Sequence, residues 1–309
     1  MDVLMAAVVA VSTGIGAAEG RQSMEERLQK KLREPFLSKA PWITDYDKAR
    51  EESRKTGKLI FAYFTRSYAE CPFCTMAEKG VLSKDEFAEF AKDYVLFCHV
   101  TARIPGRKYD DLLSEKGGQG FPHFAAMDAE GEVLAAHDGP REVEGFRKTM
   151  EKAAAFVEDR KRAAAGDREA KFRVLVHRLE MGSVGIEEAR RGAKEAGPLT
   201  AEQEARIQSL LTGAEVREVL KTVTPERESR LEAGRRFLEM KKSGRPAPVG
   251  DQEIQAYWIL MMDYAESRKD AATFREALGA LKAKFGENPQ ARRFFKAKEE
   301  TLRGMEEKK

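Results

Sequence analysis

The sequence predicts an α/β domain with a mixed central sheet between helices, followed by an all-helical region. Three observations carry this. An apolar run at residues 58–65 leads directly into Cys71-Pro-Phe-Cys74 and then a helical pattern, the order in which a strand and a helix N-terminus present a dithiol. Phe121-Pro122 then opens a further apolar run. Beyond about residue 167 strand-like runs vanish, and helical segments alternate with Gly and Pro stops.

The elements follow in order. Residues 19–41 are charged and weakly patterned, with a short helical stretch at 24–32, and read as an N-terminal arm. Trp42 opens the compact block, where Thr44 or Asp45 caps a helix running to about Lys55 and Gly57 supplies its left-handed stop. Residues 58–65 are nearly all apolar, which suits a central strand covered on both faces. A helix over 72–79 takes Cys74 into its first turn, Ser83 caps a second helical stretch through Phe87 and Phe90, and 94–101 is the next strand. A short helix at 110–115 ends at Gly117-Gly118. Residues 122–127 and 132–136 then form a hairpin across 128–131, and a helix from near Arg141 closes the unit.

In the second region the expected helices are 168–181, 186–195, 200–211, 214–222, 225–242, 251–267, 270–285 and 289–304. Ala277, Leu281 and Pro289, with Tyr264 and Ala265, match part of one tetratricopeptide unit, which predicts stacked antiparallel helices. Tyr257-Trp258 and Met261-Met262 are expected in their core.

Composition excludes several function classes. The chain has 309 residues, 35% charged and 42% apolar, enough to build cores and too apolar for disorder. Its 55 Lys and Arg are interleaved with 52 Asp and Glu, and a net charge of +3 spread this way argues against nucleic acid. Residues 3–15 are apolar and Gly16-Ala17-Ala18 follow, which reads as an export signal over 1–18. Asp2 stands where such a signal has a cation. That run is shorter than the roughly 20 apolar residues a membrane span needs, so no stable membrane insertion is expected. The expected location is periplasmic or secreted, with the cytoplasm as the alternative.

Three cysteines are too few for a disulfide-rich scaffold. Cys71 caps a helix among free N–H groups and the positive end of the dipole, both of which favour a thiolate, so it is the expected nucleophile. Cys74, one turn on and less accessible, is the expected resolving thiol. A metal site and a purely structural disulfide are the competing readings of the pair. Zinc wants four ligands and the pair supplies two, with His99 and His123 on predicted strands and no further ligand pair, so no metal is expected, and no cofactor either. Cys98 reads as a buried small side chain, with a regulatory thiol as the alternative.

Residues 42–140 resemble the thioredoxin superfamily, and within it the thioredoxin-like domains of periplasmic disulfide reductases. Trp42, the helix ending Lys-Thr-Gly-Lys58, the Phe-Ala-Tyr-Phe-Thr65 strand, Cys71-Pro-Phe-Cys74, Phe87-Ala-Glu-Phe-Ala91 and Gly120-Phe-Pro-His-Phe124 carry the likeness. The resemblance implies a thioredoxin-like α/β domain, placed over 42–165, and the helical pattern beyond it gives an all-α domain over 166–309. It implies that Pro122 is cis and lies against the dithiol, with Phe121 offering backbone hydrogen bonds to substrate. His123 is expected in a structural or exposed role. Two features depart from the family. Ala69-Glu70 form a two-residue insertion that sets a negative charge beside Cys71, and Tyr63 takes the place of the buried acid that relays protons.

The function expected is thiol-disulfide exchange, with reduction of protein disulfides through a mixed disulfide. Its partners are protein disulfide substrates and an upstream redox partner, and the helical domain is expected to bind protein. The alternative is a non-catalytic scaffold whose helical half does the binding.

Overall fold

A computed structural model describes residues 22–307. The export signal expected over 1–18 lies outside the described residues. Two compact units form among them: residues 22–133 with 137–150, and residues 134–136 with 151–307.

In the first unit, α1 (Met24–Lys31) starts at Ser23 in a reciprocal capping box with Glu26 and buries Leu28. A 3-10 turn over Pro35–Ser38 buries Phe36. Residues 22–41 are therefore structured, with Leu28 and Phe36 as the buried anchors. Asp45 caps α2 (Tyr46–Thr56) by accepting from Lys48 N–H, and Gly57 at φ 69° ends it.

Strand β1 (Ile60–Arg66) is central, parallel to β2 (Val95–Thr101) and antiparallel to β3 (His123–Met127), and β4 (Val133–Ala136) completes the order β2-β1-β3-β4. The sheet is thus mixed, as the sequence predicts. Ile43 forms an isolated bridge to Phe97 on the free side of β2, donating to Leu96 O and accepting from Cys98 N–H, each at 2.9 Å.

Alternation along β1 sorts its side chains onto two faces. Ile60, Ala62 and Phe64 pack with Tyr46, Ala49, Phe97 and Leu112. Phe61 and Tyr63 face the other way, among Trp42, Phe87, Phe90, Phe124 and Phe146. Here lie α3 (Pro72–Lys79) and α4 (Asp85–Ala91). Lys84 rather than Ser83 is the N-cap of α4, because the Ser83 hydroxyl donates to Glu78 O. Helix α5 (Leu112–Glu115) is short, and α6 (Val143–Ala164) runs on from the first unit into the second.

The second unit is all helical apart from residues 134–136: α7 (Arg168–Glu180), α8 (Ile186–Glu195), α9 (Ala201–Leu220), α10 (Arg227–Lys242), α11 (Asp251–Ser267), α12 (Ala271–Phe285) and α13 (Arg292–Glu306). The two helices expected at 200–211 and 214–222 are one. Gly213 sits buried inside α9, where packing offsets the penalty of about 1 kcal/mol for a helical glycine. Tyr257, Trp258, Met261 and Met262 are core residues, as expected.

Gly234 fixes how closely α10 and α11 approach, since a Cβ there would stand 2.1 Å from Leu260 O and 2.8 Å from Tyr264 Cβ. Gly234→Ala is expected to destabilise this unit by about 1–3 kcal/mol, the scale of an overpacked core. Thermal unfolding followed by circular dichroism checks it.

Candidate active site

The last turn of β1 and the first turn of α3 build the site. Cys71 is the N-cap of α3, its φ and ψ of −137° and 88° lying outside the helical range. Pro72 follows at a position whose N–H would have no helical partner, so it stabilises the start without losing a bond. Cys71 Sγ accepts from Cys74 N–H at 3.2 Å. The two cysteines are joined as a disulfide with Cα atoms 5.2 Å apart. Cys71 is half-buried and Cys74 fully buried, so an incoming group reaches Cys71.

The Phe121–Pro122 peptide is cis. The same segment enters β3, where His123 pairs with Phe64 of β1. Arg66 ties it to the cysteine loop. Its guanidinium lies 5.5 Å from the Tyr68 ring and 5.8 Å from the Phe121 ring, and its Nη2 donates to Glu70 O at 2.5 Å. The Tyr68 and Phe121 rings are 6.4 Å apart, and the Arg103 guanidinium lies over the Tyr68 ring at 3.9 Å. The Ala69-Glu70 insertion therefore leaves Tyr68 beside Phe121. Both arginines are used in shaping this loop, Arg66 through the Glu70 backbone and not its carboxylate.

Glu78 is the residue that sequence reasoning missed. It stands one turn beyond Cys74 on the same face of α3, and it is buried. Tyr63 Oη donates to its Oε1 at 2.6 Å and Thr65 Oγ1 to the same oxygen at 3.2 Å, while Lys31 Nζ from α1 pairs with Oε2 at 2.6 Å. Reading Tyr63 as the replacement for a buried acid was thus half the arrangement, since the acid comes from α3 and Tyr63 is its donor. The spacing of four from Cys74 was the available signal; nothing in the sequence pointed to Lys31.

Burial, and then the Glu78 charge, push the Tyr63 phenol upward, so it remains a proton donor. The same two causes push the Cys98 thiol up. Cys98 is fully buried beside Tyr63 in the β1–β2 register and stays neutral. His123 is half-buried on the opposite face of the sheet, its ring 5.6 Å from that of Phe64, and burial lowers its basicity. It is set apart from the Tyr63–Glu78 side.

Residues 46–154 match the family described as "Thioredoxin-like domain". This stretch is a thioredoxin-like domain. A solved structure described as "DsbH Oxidoreductase" is similar over 37% of this chain and 83% of its own length, at 24% identity and a TM-score of 0.31. A search of curated proteins found no match. The thioredoxin-like domain thus holds Cys71, Cys74, Glu78 and Pro122, while Lys31 reaches it from α1.

Proposed function

We propose that the chain is an exported thiol-disulfide oxidoreductase that reduces disulfides in client proteins. The carrying observation is the asymmetry of the pair, a reachable Cys71 at the N-cap of α3 and a buried Cys74 one turn behind it. The family match over 46–154 and the cis Phe121–Pro122 peptide support the same reading.

In the reduced protein the Cys71 thiolate attacks one sulfur of a client disulfide. A Cys71–client disulfide forms and the other client sulfur leaves as a thiolate, which takes up a proton. Cys74 then attacks Cys71 Sγ, closing the Cys71–Cys74 disulfide and releasing the second client thiolate. Two electrons pass to the client, and an upstream dithiol protein restores the pair. The backbone beside the cis peptide at Phe121 and Pro122 receives the client strand. Glu78 accepts the proton that Cys74 must lose, held ready by Tyr63, Thr65 and Lys31. Export follows from the pattern of residues 3–18, and the helical unit, residues 166–309, recruits the client or the electron donor.

Trapping tests the assignment. Cys74→Ser is expected to accumulate client adducts through Cys71, visible on non-reducing gels, whereas Cys71→Ser forms none. If neither substitution alters insulin-disulfide reduction by an active wild type, the assignment is wrong.

A further inference from the structure

Beside Cys71 opens a cleft of about 620 Å³, the size range of a ligand site. One wall is α3 through Pro72 and Thr75, and the other is α1. Its lining is unbalanced in charge. Lys31 is already paired with Glu78, which leaves Arg27, Lys30 and Arg66 facing Glu34 and Glu70, three cations against two carboxylates.

The α1 wall is fixed in place. Arg27 Nη1 donates to Tyr68 O at 2.9 Å, Lys31 reaches Glu78, and Leu28 is buried. Lys30 is exposed beside them, and Arg27 commits only Nη1 to this contact. The neighbouring face of α3 differs in character: Phe73 and Met76 are 62% and 69% exposed and take no part in the lining. A segment approaching Cys71 therefore meets cations on one side and apolar side chains on the other.

We propose that this cleft binds an acidic segment of the client polypeptide, flanking the disulfide that Cys71 attacks. The inference rests on the thiol-disulfide reading above and adds a substrate class to it. Carboxylates next to the client cysteine pair with Lys30 and Arg27 and hold its sulfur at Cys71. The attack then proceeds with the same balance, one client sulfur joining Cys71 and the other leaving as a thiolate.

The test uses the full chain, reduced with dithiothreitol and desalted. Three fluorogenic peptide disulfides serve as probes, differing only in two residues beside the cysteine: Glu, Gln or Lys. The second-order rate constant for the Glu peptide is expected to exceed that for the Gln peptide by about fivefold, the scale of two partly exposed ion pairs, with the Lys peptide slowest. The gap should shrink at about 0.5 M salt, where screening is strong. Lys30→Glu should remove the preference. Lys55→Glu, an equal change of net charge on α2, should keep it. Equal rates for the three peptides, or an ordering untouched by Lys30→Glu, would overturn the cleft assignment while leaving the redox chemistry standing. Failure to reduce any peptide would overturn the thiol-disulfide reading, and the client cleft with it.

Discussion

Glu78→Ala is expected to cost the thioredoxin-like domain about 3–5 kcal/mol, the scale of breaking a buried ion pair from one side. The loss exceeds that of one hydrogen bond because three donors are stranded together. Lys31 Nζ loses its carboxylate partner with its side chain only 12% exposed, and the hydroxyls of Tyr63 and Thr65 are fully buried. Denaturant unfolding measures this directly. A triple variant, Lys31→Met with Tyr63→Phe and Glu78→Leu, should recover much of the stability, because apolar groups of similar volume often replace a buried polar cluster without net loss. It should not recover chemistry. Release of client from the Cys71 adduct is expected to remain slowed by about 100-fold, the lower range for losing a proton acceptor. If the stabilised variant resolves the adduct at the wild-type rate, Glu78 is a structural clamp and nothing more.

Acid should weaken the same domain well before its carboxylates protonate. His99 is buried between Phe64 and Phe97, and burial first, then the Arg107 charge, lowers its pKa to about 4 from the ordinary 6.5, with Asp110 opposing. Its Nε2 has no hydrogen-bond partner, which fits a ring kept neutral. Between pH 6.5 and about 4 the unfolded chain binds a proton at His99 that the folded chain refuses, so stability falls as pH falls through that window. The cost approaches about 3 kcal/mol at the lower limit. Burial shifts His123 and His137 in the same direction.

Asp110 acts later. Burial would push its carboxyl up, but the N–H groups of Ala102 and Arg103 and the Arg107 guanidinium hold it below its ordinary 3.8, so its contribution goes only below that pH. Urea midpoints measured from pH 7 to 4.5 should decline in wild type and decline less in His99→Phe. A flat wild-type profile would refute the account.

The sheet and its helices were legible because local signals agreed with the final packing. Residues 58–65 were apolar on both alternating sets because both faces of β1 are covered, and Gly57 is the residue type that adopts a φ of 69° at least cost. Cys71 and Cys74 were legible from spacing alone, which puts them within one helical turn. The pairing of Glu78 with Lys31 was not, because 47 positions separate them and a buried ion pair leaves no periodic trace. In the arm the short helix at 24–32 was legible and forms as α1, but the contacts that anchor it were not. Its order comes from Leu28, Phe36, Arg27 and Lys31 meeting partners elsewhere, and a charged stretch with so few apolar residues shows no amphipathic stripe. Helix α9 misled in the opposite sense, since Gly213 looks like a stop until its burial is known.

Ile43 has a protective role that its single bridge conceals. By occupying Leu96 O and Cys98 N–H, it removes two adjacent sticky groups from the border of the sheet, where another chain would otherwise zip on. Trimming the polypeptide past this residue would bare that border, and the shortened protein should form oligomers by strand addition along β2 even with its cysteines untouched.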